Sequence, residues 1–312
     1  MCCRRIKARN EREVISQLFS EEYIFIMIII EISGGLGNQM FQYALGQKFI
    51  SMGKKVKYDL SFYNERVQTL REFELDIFHI DCPVATSNEL FYFGKGFSLA
   101  SRFKQRIGWD KRNVYEEDLD LGYQPQIFGL DNIYLSGYWQ SEKYFENIRQ
   151  RILELYTFSG KLGYENKRFL DKIENSNSVS LHVRRGDYLN EENVKIYGGI
   201  CTINYYKNAI KYISDRFEKP VFFVFTNDLE WVKNELDIPN KVIVDCNSGS
   251  LSYWDMYLMS KCKANIVANS SFSWWGAWLN QHSNRVVVSP RRWFNNHEQT
   301  STLCDDWVRC GG

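Results

Sequence analysis

Proline is scarce, 5 in 312 residues, and no segment repeats at a fixed period. A collagenous or linker-rich chain is thereby excluded. Charge of one sign is missing as well: 39 Lys and Arg meet 38 Asp and Glu, for a net +1. General nucleic-acid binders and polybasic membrane proteins need a large positive excess, so neither class fits. Near the N-terminus the uncharged stretch Tyr23 to Ile30 falls far short of the ~20 apolar residues a membrane span requires. Glu11, Glu13, Glu21 and Glu22 stand where a signal peptide would carry its apolar core, and no small-residue cleavage site follows. The eight cysteines are scattered without a C-x-x-C pair or histidines at zinc spacing. That pattern points to free thiols in a reducing compartment rather than a metal knuckle or disulfide scaffold. The expectation is a cytoplasmic protein, with peripheral contact at the inner membrane face as a second placement.

What is present is apolar and aromatic. Hydrophobic residues make up 44% and aromatics 16%, enough to bury real cores, and the length suits about two domains at roughly 150 residues each. Residues 1–26 are read as an extension ahead of Met27. Met27 to Ser33 reads as a strand, running through Gly34-Gly35-Leu36-Gly37-Asn38 into a helix over Gln39 to Met52 and a strand over Lys55 to Asp59. A helix is expected near Asn88 to Arg106, a strand at Ile133 to Ser136, and a helix from Ser141 to Tyr156 with Ser141 as its cap. A boundary within 157–177 divides 27–165 from 166–312.

The second half alternates regularly. Strands are expected at Ser178 to Val183, Val221 to Phe225, Lys241 to Val244, Ala264 to Ala268 and Val286 to Val288, with helices between them. Ile203, Tyr206, Ile210, Ile213 and Phe217 recur at helical spacing behind Thr202. Five apolar strands separated by helices imply a Rossmann-like α/β unit, a parallel sheet covered on both faces.

Ligands of such sheets bind beyond the carboxyl ends of the strands. There the chain supplies His182-Val183-Arg184-Arg185-Gly186-Asp187, Asn227-Asp228 and Ser270-Ser271-Phe272-Ser273. Guanidinium forks match phosphate oxygens, and serines at a helix start add hydroxyls and backbone N–H groups where the helix dipole favours an anion. A phosphate site is expected, with Asp187 orienting an arginine or simply pairing with one, and Asp228 or Asp255 accepting from a ribose or base.

Three segments together resemble the α-1,2-fucosyltransferases of glycosyltransferase family 11: Gly34-Gly-Leu-Gly-Asn-Gln-Met-Phe-Gln-Tyr43, His182-Val-Arg-Arg-Gly-Asp-Tyr188 and Ser270-Ser-Phe-Ser-Trp-Trp-Gly276. The resemblance covers nearly all of the chain after Met27. It implies a GT-B-like fold, two Rossmann-like domains facing a cleft, with 27–165 on the acceptor side and 166–312 binding GDP-fucose. It implies inverting transfer of L-fucose to the 2-hydroxyl of a galactose-terminated oligosaccharide or lipid-linked precursor, with no metal and no cofactor. By the same resemblance Arg184 grips the diphosphate as the essential arginine and Asp187 closes its motif as a second catalytic candidate. His182, Arg185, Asn227, Asp228, Asp255, Ser270, Ser271 and Phe272 are donor-binding candidates, Asp255 as the reader of guanine. Gly34, Gly35, Gly37, Asn38 and Gln39 are expected to line the cleft from the other domain, or merely to make a tight turn. Trp274, Trp275 and Trp278 are read as core.

Rival readings remain at this level. Gly35-x-Gly37 after a strand, with Asp59 ending the next, approaches a dinucleotide fingerprint, although Met40 replaces its third glycine. Asp118-Leu119-Asp120 spells a metal-binding D-x-D inside an acidic run. Arg185-Gly186-Asp187 spells an adhesion tripeptide, and Asn269-Ser270-Ser271 a glycosylation sequon that needs secretion to matter.

Overall fold

Three consecutive isoleucines make Met27–Glu31 a strand, β1, buried at the centre of a parallel sheet. The computed structural model describes residues 27–64, 71–95, 113–296 and 301–311. The expected extension 1–26 and the part of the Asn88 to Arg106 helix beyond residue 95 lie outside them. β1 pairs in parallel with β2 (Lys55–Asp59) and β4 (Ile133–Ser136), and β3 (Val114–Glu116) adds beyond β4. The order is therefore β2-β1-β4-β3. Between β1 and β2 runs α1 (Leu36–Ser51), buried on nearly every side. α2 (Ser87–Tyr92) opens on a capping box between Thr86 and Glu89.

The helix expected from Ser141 to Tyr156 is broken. Two short 3₁₀ turns, Glu142–Tyr144 and Glu146–Ile148, precede α3 (Arg149–Leu155). Phe145 between them is fully buried with φ −143°, its ring stacked 5.5 Å from that of Trp275. Anchoring that ring takes the backbone out of helical geometry. Ser141 still caps the first turn, accepting from the N–H of Lys143.

The second sheet has six strands rather than five: β5 (Ser178–Val183), β6 (Val221–Thr226), β7 (Lys241–Val244), β8 (Ala264–Ile266), β9 (Val286–Pro290) and β10 (Val308–Cys310). β10 is only three residues on the edge of β9, too short to leave a pattern. Helices α4 (Tyr164–Glu174), α5 (Glu191–Tyr197), α6 (Ile203–Ser214), α7 (Leu229–Glu235), α8 (Tyr253–Lys261) and α9 (Ser271–Trp278) complete this half. Thr202 caps α6 by accepting from the N–H of Tyr205. Both faces are covered. Phe222 and Val224 of β6 pack into a cluster with α6, while Phe223 and Phe225 pack oppositely with Ile173 of α4 and Leu258 of α8.

All strand pairings are parallel, and the order β10-β9-β8-β5-β6-β7 reverses direction between β5 and β8. In the first sheet the reversal falls between β1 and β4. The two switch points, where open α/β sheets take their ligands, face the same cleft.

Behind the cleft the halves share one core. Trp274, Trp275 and Trp278 of α9 are buried, and the Phe41 ring of α1 sits 4.4 Å from Trp274 and 4.9 Å from Trp275. The Nε1 of Trp275 donates to the carbonyl of Gly37 (2.8 Å). Each buried indole contributes on the order of 5 kcal/mol of gross hydrophobic stabilisation before entropy is charged against it.

Candidate functional site

A cavity of about 390 Å³ lies where the switch points meet. From the second half it is lined by the ends of β5 and β8. His182, the penultimate residue of β5, is almost completely buried, its Nδ1 without a hydrogen-bond partner among the described residues. Burial, helped by the charge of Arg184, pushes its pKa down to about 3, so the ring is neutral and offers a single donor and acceptor. Arg184 follows on the cleft wall with its guanidinium 5.7 Å above the Tyr188 ring. The hydroxyl of Tyr188 donates to the carbonyl of Asn269 (2.9 Å), tying the arginine loop to the loop after β8. Asn269 in turn donates to the carbonyls of Tyr197 and Trp293.

That second loop becomes α9, which begins at Ser271. Ser270 occupies the cap position without a side-chain cap bond, and Ser270, Ser271 and Phe272 at the start of the helix line the cleft. Ser273 does not join them: its buried hydroxyl donates back toward the carbonyls of Ala268 and Ser270.

At the far end stands Asp255, in the first turn of α8. Its Oδ1 accepts from Asn247 Nδ2 (2.7 Å), yet burial lifts its pKa up to about 7. Asn227 also lines the cleft, its Oδ1 accepting from the N–H of Arg185 (2.9 Å). The side chain of Asp187 lies outside what the structure describes; its backbone belongs to the turn Gly186–Leu189.

Two expected donor ligands are turned elsewhere. Arg185 Nε pairs with Asp228 Oδ2 (3.1 Å), and its guanidinium stacks 4.3 Å over Trp231. Asp228 also caps α7, accepting from the N–H of Trp231. Of the two adjacent arginines, Arg184 lines the cleft and Arg185 turns to Asp228 and Trp231.

The first half contributes the turn after β1. Gly34 sits at φ +76°, a left-handed conformation glycine adopts without strain, and lines the cleft with Gly35, Gly37 and Asn38. A Cβ on Gly37 would come within 2.6 Å of the Ser271 backbone, so the two helix N-termini meet at a point only glycine permits. Gln39 is not a cleft residue. Its buried amide donates to the carbonyls of Gly34 and Glu72 and accepts from the N–H of Glu74, locking the turn from beneath. Asn38 accepts from Gln140 Nε2 (2.8 Å), whose Oε1 accepts from Trp293 Nε1 (3.0 Å), a bridge from one half to the other.

Sequence reasoning missed Arg71, Glu74, Tyr138, Gln140, Asn193 and Asn247, all on the cleft wall. All but Asn193, which lies in α5, are single residues in turns and loops without periodicity, and none carries a local signature. Asp118 and Asp120 do not line the cleft; Asp118 accepts from the N–H of Asp120 in a turn after β3. Met40, in place of a third glycine, is buried in the shared core.

Two parallel-sheet units facing one cleft, with an arginine and a helix N-terminus on one wall, make up a GT-B architecture, the kind found in many glycosyltransferases. The family model of Glycosyl transferase family 11 matches residues 27–310. The chain belongs to that family. It is 36% identical over 295 residues to an alpha-1,2-colitosyltransferase of Escherichia coli, covering 91% of this chain and 98% of that protein. It is 26% identical over 259 residues to galactoside alpha-(1,2)-fucosyltransferase 1 of Saimiri boliviensis boliviensis, covering 79% of this chain and 63% of that one. Among solved structures, the fucosyltransferase NodZ from Bradyrhizobium aligns with a TM-score of 0.40 at 15% identity, covering 81% of this chain and 91% of that chain. No helix among the described residues is long and apolar enough to cross a membrane.

Proposed function

We propose that the protein transfers L-fucose from GDP-β-L-fucose to the 2-hydroxyl of a terminal galactoside, with inversion and without a metal. The observation that carries this reading is the sharing of one cleft by Arg184, the N-terminus of α9 and, at the far end, the Asp255 carboxylate. Cleavage of the sugar–phosphate bond places growing negative charge on the leaving diphosphate. Arg184 and the α9 N–H groups stabilise that charge most when it is fully developed, which lowers the barrier rather than merely tightening binding. Asp255 accepts from the N1–H and exocyclic amine that guanine presents, and neutral His182 adds one directional bond. The acceptor enters from the first half, opposite the diphosphate.

A second donor has support of its own. Colitose is L-fucose lacking the 3-hydroxyl, and a relative at 36% identity is named for it. The GDP ester of colitose would use the same diphosphate and base contacts. Work at the cytoplasmic face, peripheral to the membrane when the acceptor is lipid-linked, suits both donors. The test incubates purified protein with either donor and a panel of galactosides, with and without chelator, and determines the linkage by NMR. An α-1,2 product indifferent to chelator is expected. Failure of both donors on every galactoside would refute the assignment.

A further inference from the structure

The notional reaction above still lacks a group to take the acceptor's proton. Among the described carboxylates, the cleft is lined by Asp255 from the second half and by Glu74 from the first. Asp255 stands beside Asn247, where the donor's base is placed. Glu74 stands on the acceptor side, heading the 3₁₀ turn Leu75–Phe78.

Its position is fixed twice. The backbone N–H of Glu74 donates to buried Gln39 Oε1 (2.9 Å), and Glu74 Oε2 accepts from the N–H of Leu36, the first residue of α1 (3.0 Å). The next residue, Gly37, lies against Ser271. The Glu74 carboxylate therefore lies within roughly 12 Å of the Ser271 rim, the most that this path allows at 3.8 Å per Cα step, a range that a sugar ring and an attacking hydroxyl can bridge.

Resting on the sugar-transfer reading, we propose that Glu74 is the general base of the reaction. Its carboxylate takes the proton of the acceptor hydroxyl as that oxygen bonds to the anomeric carbon. The bond from that carbon to the diphosphate oxygen breaks, the electron pair leaves with the nucleotide, and the proton passes from Glu74 to solvent before the next turnover. The surroundings suit the task. Burial raises the affinity of Glu74 for a proton above that of an ordinary carboxylate, and nearby Glu72 and Asp76 push the same way, against the Leu36 N–H and Arg71.

Glu74→Gln keeps an oxygen to accept from Leu36 and removes the basicity. Transfer to a galactoside should fall by ~10²-fold or more, while GDP affinity by calorimetry stays within about threefold of wild type. Azide, an anionic nucleophile that carries no proton, should restore donor turnover in Glu74→Gln and yield the inverted glycosyl azide. Glu74→Asp should recover part of the transfer rate. Transfer by Glu74→Gln near the wild-type rate overturns the proposal. So does loss of turnover that azide fails to rescue in a variant that still binds GDP, which would leave Glu74 only the role of holding the Gly34 turn. Azide rescue of Asp187→Asn but not of Glu74→Gln would move the role to Asp187. Wild-type protein without GDP affinity would instead remove the sugar-nucleotide reading itself, a separate result.

Discussion

Nucleotide binding should depend on pH in a direction and size that can be worked out from guanine held, as proposed, at the Asp255 carboxylate. With its pKa raised to about 7 by burial, the empty cleft holds this group protonated below neutrality and ionised above it. A guanine base offering two N–H donors binds the ionised form and pulls the pKa down in the complex. Binding at low pH must first expel a proton. The ionised fraction rises from about one-tenth at pH 6 to about nine-tenths at pH 8, so the dissociation constant of GDP should fall about tenfold across that interval, or ~1.4 kcal/mol. The diphosphate also titrates near pH 6, and Asp255→Asn separates the two contributions. The variant should keep only the phosphate's shallow dependence and bind more weakly at pH 8 by roughly 10- to 100-fold, the worth of a charge-assisted bond. Isothermal calorimetry at pH 6, 7 and 8 provides the readout. Parallel curves for wild type and variant would refute the placement of the base at Asp255.

Arg184→Ala should lower kcat by ~10² or more, about 3 kcal/mol of lost transition-state stabilisation, with little change in melting temperature; steady-state transfer assays and calorimetry report both. Arg185→Ala should leave kcat within a factor of a few, because that side chain is spent on Asp228 and Trp231, and the same assays would expose a direct donor contact by a larger loss. Gly37→Ala forces a methyl to within 2.6 Å of the Ser271 backbone, and urea unfolding should show a loss of about 1–3 kcal/mol together with lower activity.

The second half was legible because its strands are continuous and apolar, and buried parallel strands need no alternation. β5 and β7 begin and end where the sequence places them. The cleft wall of His182, Arg184 and Ser270-Ser271-Phe272 was readable for the same reason, since the strand ends of a parallel sheet deliver their side chains to one edge. What the sequence could not convey was which way adjacent side chains turn. Arg185 and Asp228 are identical in type to cleft ligands, and only the fold shows that they pair with each other beside the Trp231 ring. The first half was obscure because its functional residues sit on 3₁₀ turns and loops, where neither period 2 nor period 3.6 operates. Glu74 and Gln140 carry no local signature, and Phe145 breaks a helix for the benefit of a partner more than a hundred residues away.

The aromatic seam between α1 and α9 also limits how relatives of this protein can be recombined. A chimera that takes one half from each of two parents inherits two unmatched sides of the Phe41–Trp274–Trp275 contact, however well each sheet is preserved. Exchange of the first half's cleft loops leaves that seam intact, and by the proposed reading is the route by which specificity can be grafted. Calorimetry should accordingly record one melting transition for the parent and for loop grafts, and two, or an early one, for half-swapped hybrids.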